Sequence, residues 1–283
     1  MTMKIGLQMF SVREEFGKDR AKTLQQLAKI GYKYIEIPLS FDEESPFSIQ
    51  ALPADKLKEM TDREGIQIMG THINVDSEQQ LDAIIAYNLA IGCTKAVIPM
   101  KLFQGYDDAL AFSKQLQAYG KKLYENGIQL YYHNHFQEFQ KFNNQMVLDI
   151  ILENTNPDYL KIELDTYWAI RGGADIDSLL QKLGNRCVLL HLKDMPVSAS
   201  PIDVLGTIPE GRAITLDDFY PLFNDRNFIE IGQGHLDMKA IIQSAIQFTA
   251  TEYIIIEQDV IAIDALESVE MSYKALSSLL ETI

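Results

Sequence analysis

The chain has 283 residues, 40 of them acidic against 25 Lys or Arg, so its formal charge is −15 with histidine neutral. Nucleic-acid binders draw much of their affinity from basic surfaces that neutralise phosphates, so this balance argues against that class and against docking on anionic membranes. Hydrophobic residues make up 47% and charged residues 23%, the proportions of a folded chain with a large core, and no run of about 18 apolar residues is available to span a bilayer.

The N-terminal stretch Met1–Phe10 has neither an apolar h-region nor a small-residue cleavage site, so the expected location is the cytoplasm. The two cysteines, Cys93 and Cys187, sit far apart in or beside apolar runs and are expected as buried reduced thiols. Short apolar runs then alternate with longer segments of helical period. Strand Lys4–Phe10 precedes helix Arg20–Ile30, Tyr34–Pro38 precedes Ala54–Glu64, Ile66–Thr71 precedes Ser77–Ile91, and Ala96–Met100 precedes Asp107–Glu125. In the second half Gln129–Asn134 precedes Gln145–Glu153, Leu160–Asp165 precedes Ile176–Leu183, Cys187–Leu192 precedes Met238–Ala250, and Tyr253–Glu257 precedes Ala265–Glu281.

Gly31, Gly65, Gly92 and Gly127 follow predicted helices, where glycine fits the left-handed closing position. Eight strand–helix pairs match the usual size of a (β/α)8 TIM barrel, about 250 residues, predicted as one domain over 1–283; a doubly wound open sheet is the alternative. From Lys193 to His235 no simple strand–helix unit is visible, although Thr215–Phe223 reads as a short helix. Such an excursion after strand seven is expected to lie over the barrel mouth.

In barrels of this kind the reacting groups come from the C-terminal ends of the strands. Polar residues fall there: Gln8, Glu36, His72, His133, Asn134, His135, Asp165, His191, Lys193, Glu257 and Asp259. None of the five histidines falls inside a predicted helix. Imidazoles and carboxylates converging on one mouth form the donor set of one divalent ion such as Mn, Co, Zn or Mg. Glu163, Asp165, His191, Lys193 and Glu257 interrupt otherwise apolar runs, where an unpaired charge is costly. A metal, a bound polyol or a structural ion pair would compensate them.

At these residues the sequence resembles the sugar phosphate isomerase/epimerase family, the xylose-isomerase-like barrels. The resemblance covers nearly the whole chain: Leu7-Gln8-Met9-Phe10-Ser11-Val12-Arg13; Tyr132-His133-Asn134-His135 with Glu138-Phe139; and Glu163-Leu164-Asp165-Thr166-Tyr167-Trp168-Ala169 with Gly172-Gly173. Further on, His191-Leu192-Lys193-Asp194, Ile231-Gly232-Gln233-Gly234 with Asp237, and Glu257-Gln258-Asp259 match as well. The resemblance implies one divalent metal held by four side chains, three of which carry over as Asp165, His191 and Glu257. Where many relatives have glutamate at the end of strand five, this chain has His133. Glu138 is then expected to reach back as the fourth ligand, with His133 as the alternative.

The activity so implied is metal-dependent isomerisation or epimerisation of a sugar or keto-sugar, through an enediolate formed by proton abstraction beside a carbonyl. Glu257 or Glu163 is expected as base, His133 or His135 as its partner, and Lys193 as an orienting cation. Gln8, His72, Glu163 and Trp168 are assigned to substrate binding, and Phe10, Tyr106, Phe136 and Tyr167 are further candidates for stacking on a sugar. Gly232-Gln233-Gly234 is too short for a phosphate cradle, which leaves Arg13, Lys101, Arg171 and Lys193 as the cations that a phosphate would meet. The same site could instead expel a β-hydroxyl, as a dehydratase acting on an inosose or 3-keto-sugar. A non-catalytic sugar-binding barrel is the alternative of another class. The expected partner is a small sugar or polyol, with neither nucleic acid nor membrane, and a homodimer is possible.

Overall fold

In the computed structural model, which describes residues 3–283, the alternating apolar runs become eight parallel strands. They are β1 (Lys4–Gln8), β2 (Tyr34–Leu39), β3 (Gln67–Ile73), β4 (Lys95–Ile98), β5 (Gln129–His133), β6 (Leu160–Asp165), β7 (Cys187–Leu192) and β8 (Tyr253–Ile256). Each pairs with its neighbours in chain order and β8 closes on β1, which makes a single-domain TIM barrel. The open-sheet alternative is thereby excluded.

The helices are α1 (Arg13–Lys18), α2 (Arg20–Ile30), α3 (Ala54–Glu64), α4 (Glu78–Ile91), α5 (Tyr106–Glu125), α6 (Val147–Glu153), α7 (Thr166–Arg171), α8 (Ile176–Leu183), α9 (Leu216–Phe219), α10 (Met238–Phe248) and α11 (Ala265–Leu280). Gly65 and Gly92 close α3 and α4 at φ +67° and +75°, a left-handed conformation in which a Cβ is penalised. Among the described residues no helix is long and apolar enough to cross a membrane.

Several boundaries differ from the sequence reading, and three of the differences have clear local reasons. β1 stops at Gln8 rather than Phe10, because the Gln8 side chain accepts from Phe10 N at 3.2 Å and turns the chain into a 3-10 turn at Met9–Val12. Gln145–Met146 does not open α6 but pairs with Lys141–Phe142 in a two-residue hairpin, turned by Asn143 and Asn144 at positive φ. The helix expected over Thr215–Phe223 is α9 followed by a 3-10 turn at Tyr220–Leu222, and Thr215 and Asp218 form a capping box at its start.

Apolar packing falls into three bodies, and their positions define the site. Most of the core lies between the strands and the surrounding helices. Inside the barrel, Met69, Val97, Tyr131, Leu189, Tyr253 and Ile255 form an apolar plug. At the mouth, the 193–235 excursion packs Met195, Ile214, Phe219, Leu222 and Phe228 against Phe136, Tyr167 and Trp168. Between plug and roof lies a polar layer.

Candidate metal centre

Strand alternation sends every second side chain inward, and towards the C-terminal ends these inward positions are ionisable. Glu36, His72, His133, Glu163, Asp165, His191, Lys193, Glu257 and Asp259 are all buried. Register sets neighbours side by side: His133 beside Glu163, and Asp165 beside His191. The result is two tiers linked by two imidazoles.

In the lower tier one oxygen of each carboxylate carries the internal bonds, while Glu36 Oε1 and Glu163 Oε1 are buried without a hydrogen-bond partner. Glu163 Oε2 lies 2.8 Å from His72 Nε2, 3.0 Å from His133 Nδ1 and 3.3 Å from His191 Nε2. Glu36 Oε2 lies 2.9 Å from His72 Nε2 and 2.9 Å from His191 Nε2, and accepts from Gln8 Nε2 at 2.9 Å. Gly70 makes this arrangement possible: a Cβ there would stand 2.6 Å from Glu36 Oε1.

The upper tier also holds a buried oxygen without a hydrogen bond. Asp165 caps α7 through Oδ1, which accepts from Trp168 N at 2.8 Å, while its buried Oδ2 has no hydrogen-bond partner. Lys193 Nζ stands 3.1 Å from that oxygen, 2.8 Å from Glu257 Oε2 and 2.8 Å from Asp259 Oδ2. His133 Nε2 approaches Asp165 Oδ2 at 3.7 Å, and His191 Nδ1 approaches Glu257 Oε2 at 3.0 Å. Asn134 fixes the ends of β5 and β6 together: its Oδ1 accepts from Asp165 N at 3.0 Å and its Nδ2 donates to Asp165 O at 3.1 Å.

Burial disfavours every charge here, so the direction of each shift shows which neighbours win. For His72, burial opposes protonation, but Glu36 and Glu163 outweigh it and raise the imidazole to about 10. His191 is likewise raised well above its ordinary value against burial, by Glu163, Glu257 and Glu36. His133 is pushed far down by burial and by the charges of His191 and His72, so it is neutral. Burial works against ionised Glu257, yet Lys193 and His191 hold it well below the usual carboxylate range. Asp165 is raised by burial despite Lys193, and Asp259 is raised to about 6 in the same way.

The donor set fits a divalent ion. Ligand atoms of His133, Asp165, His191 and Glu257 all lie within 4.8 Å of one another, a spread that bonds of about 2.1 Å close with small side-chain shifts. Asp165 Oδ2, which makes no hydrogen bond and has the Lys193 ammonium 3.1 Å away, is a buried oxygen such an ion would satisfy. Neutral His133 donates Nδ1–H to Glu163, so the Nε2 lone pair faces this group. Five buried carboxyls, those of Glu36, Glu163, Asp165, Glu257 and Asp259, face three cations, Lys193, His72 and His191, a formal excess of two negative charges. A second combination, His72, His133, Glu163 and His191, is as compact, but there Glu163 Oε2 already pairs with all three imidazoles.

At the strand-five position the structure brings His133, and not Glu138, to the donor group. Glu138 does not reach the group: its Oε1 accepts from Tyr132 Oη at 2.5 Å and its Oε2 from His135 N at 2.8 Å, within a 3-10 turn at Gln137–Phe139. Burial raises that carboxyl to about 7 against those bonds. His133 occupies the expected place instead. Of the residues assigned to substrate, Gln8, His72 and Glu163 lie in the lower tier. Trp168 lies beside the upper one, with Lys193 Nζ 5.6 Å from its ring.

His135 is outside both groups. Its ring contacts His133, Trp168 and Phe219, and its buried Nδ1 has no partner. His235 lies in the excursion, with Nδ1 on Met195 O. Of the four cations considered for phosphate, only Lys193 is in the cluster; Arg13 donates to Phe10 O, Lys101 pairs with Asp108 and Arg171 donates to Asn227. A groove of about 840 Å3 lies outside the barrel, between Phe139–Asp149 and Asp203–Arg212, and no member of the cluster lines it. Gly70 and Asn134 are the positioning residues whose roles the sequence reading missed. A glycine inside an apolar strand is the signal that points to the first.

A family model described as xylose isomerase-like TIM barrel matches residues 24–275. Among solved structures, a sugar phosphate isomerase/epimerase from Parabacteroides distasonis is 23% identical with TM-score 0.74, covering 98% of this chain and 94% of that one. The IolI protein with a bound zinc atom is 15% identical with TM-score 0.70, covering 99% of each chain. The probable 3-DHS dehydratase AsbF from Bacillus anthracis is 13% identical with TM-score 0.69, covering 97% of this chain and 99% of that one. At these identities the likeness is one of fold. No curated protein matches the sequence.

Proposed function

The chain belongs to the xylose isomerase-like TIM barrel family, and from that premise we propose that it is a divalent-metal-dependent isomerase acting on a small sugar or keto-sugar. The observation that carries this reading is the four-donor group of His133, Asp165, His191 and Glu257, with an orphaned Asp165 oxygen and Lys193 alongside. A divalent ion in that group would supply Lewis acidity towards the oxygens of a bound carbonyl.

The chain's own residues then divide the work. Glu257, 7% exposed at the upper end of β8 and one of the four donors, is held ionised by Lys193 and His191, and we assign it to take a proton from the carbon beside the carbonyl. Lys193 orients a substrate hydroxyl from within its ring of carboxylates. The expected proton partners, His133 and His135, are both held neutral by burial and by neighbouring positive charge. Neither has a ready proton for a departing hydroxyl, which favours return of the proton by Glu257 to the neighbouring carbon over dehydration.

The test is proton exchange. Aldoses, ketoses and inososes are incubated with the zinc- or manganese-loaded protein in D2O and followed by NMR. Deuterium is expected beside the carbonyl, with an isomer as product, and both are expected to disappear in a folded Glu257→Gln variant. Accumulation of an unsaturated product would move the reading to a dehydratase. Absence of exchange with metal bound would move it to a non-catalytic binding barrel.

A further inference from the structure

The residue after Lys193 is a buried carboxylate that forms no ion pair among the described residues. Asp194 is 1% exposed, and its two oxygens accept from four backbone amides: Oδ1 from Met195 N (2.8 Å) and Leu236 N (3.3 Å), Oδ2 from Gly232 N (2.9 Å) and Gly234 N (3.0 Å). Met195 begins the excursion and Gly232, Gly234 and Leu236 end it, so one side chain draws together segments 38 to 42 residues apart. Two backbone bonds reinforce the junction: Ile229 N donates to Asp194 O, and His235 N donates to Met195 O. Charged acceptors bind amides more strongly than neutral ones, and removal of this one would leave buried donors unsatisfied.

Gly232-Gln233-Gly234 is therefore the other half of a clasp. Gly232 lies at φ +85°. A Cβ on Gly234 would stand 2.2 Å from Asp194 Oδ1 and 2.5 Å from Met195 O, so that position admits no side chain. The loop closed in this way carries Phe219, Phe223 and Phe228, whose ring centroids lie 5.2, 5.8 and 5.9 Å from that of Trp168. Trp168 is fully buried and lies beside Lys193 Nζ, which belongs to the polar cluster. A second anchor, Asn227, accepts from Tyr167 Oη and from Arg171 on α7.

We propose that Asp194 is a positioning residue: its carboxylate clasps the base of the 195–235 excursion and so holds the aromatic roof on Trp168, beside the polar cluster. The proposal does not depend on which reaction the site performs. The side-chain bonds of Asp194 go to backbone amides and not to the donor group, so it acts through the roof.

Trp168 is the chain's only tryptophan, so its fluorescence reads the roof directly. Asp194→Asn turns one acceptor into a donor facing amides, and Gly234→Ala opens the same junction without altering charge. Both variants are compared with wild type in the zinc-loaded protein by acrylamide quenching of Trp168, limited proteolysis, far-UV circular dichroism and zinc titration. The expected result is a rise of about threefold or more in the quenching constant and new cleavage within 195–235, with unchanged far-UV signal and a zinc affinity within about threefold of wild type. A purely structural role would not separate these readouts. Wild-type shielding of Trp168 in both folded variants would overturn the proposal, as would loss of the far-UV signal or of zinc binding in both.

Discussion

Glu163 Oε2 lies 3.0 Å from His133 Nδ1, deep in the barrel, so the imidazole proton sits on the nitrogen facing down and the Nε2 lone pair faces up towards Asp165. A carboxylate that fixes the tautomer of a ligand histidine supports metal binding without touching the metal. Glu163→Gln retains the shape and loses the charge. Zinc affinity by calorimetry is expected to fall by about 10- to 100-fold; unchanged affinity would show that His133 is oriented by something else.

His133 and Glu138 are separated by the same measurement. His133→Ala removes one of the four donors and is expected to abolish stoichiometric metal. Glu138→Ala leaves the donors intact but strands Tyr132 Oη and His135 N, at a cost of about 1–3 kcal/mol in stability by urea unfolding. Metal lost from Glu138→Ala alone would reverse the assignment.

His72 should make the metal-free protein pH-sensitive. Its imidazole is raised from 6.5 to about 10 in the folded state, so the folded chain holds a proton that the unfolded chain has released. The stabilisation is complete below pH 6.5, shrinks as pH rises and is gone above about 10, an effect on the order of a few kcal/mol. The melting temperature should fall across that window in wild type and much less in His72→Gln. Parallel curves for the two would contradict the burial of a cationic His72 between Glu36 and Glu163.

Gly70→Ala tests the space beneath the cluster. The added methyl would meet Glu36 Oε1 at 2.6 Å, and Glu36 Cδ and Cγ at 3.5 Å. Overpacking of this kind costs about 1–3 kcal/mol, and displacement of Glu36 should also weaken zinc binding through His191. A neutral substitution would mean that the Glu36 carboxylate moves freely.

The barrel was legible because its signals are local: apolar runs of strand length, glycine after helices, and polar residues at strand ends where the fold puts chemistry. The convergence of Asp165, His191 and Glu257 in one buried cluster was legible for the same reason, since each breaks an apolar run with a costly charge. Glu138 was not. Strand alternation ends at His133, and the orientation of Glu138 in the following turn is set by two donors, Tyr132 Oη and His135 N, that compete for its carboxylate. Alternation likewise does not reach His135, whose ring packs under the roof instead of entering the donor group. The clasp was out of reach for another reason: Asp194 finds three of its four amides about 40 residues away, and no periodicity encodes that meeting.

The central claim is that four side chains from β5 to β8 and their ends hold one divalent ion. Metal content of the purified protein by plasma mass spectrometry, repeated on Asp165→Ala and His191→Ala, tests it most directly. About one equivalent of Zn, Mn, Co or Mg in wild type, lost in both folded variants, is the expected result. Wild-type protein without metal after reconstitution, or variants that retain a full equivalent, would contradict it.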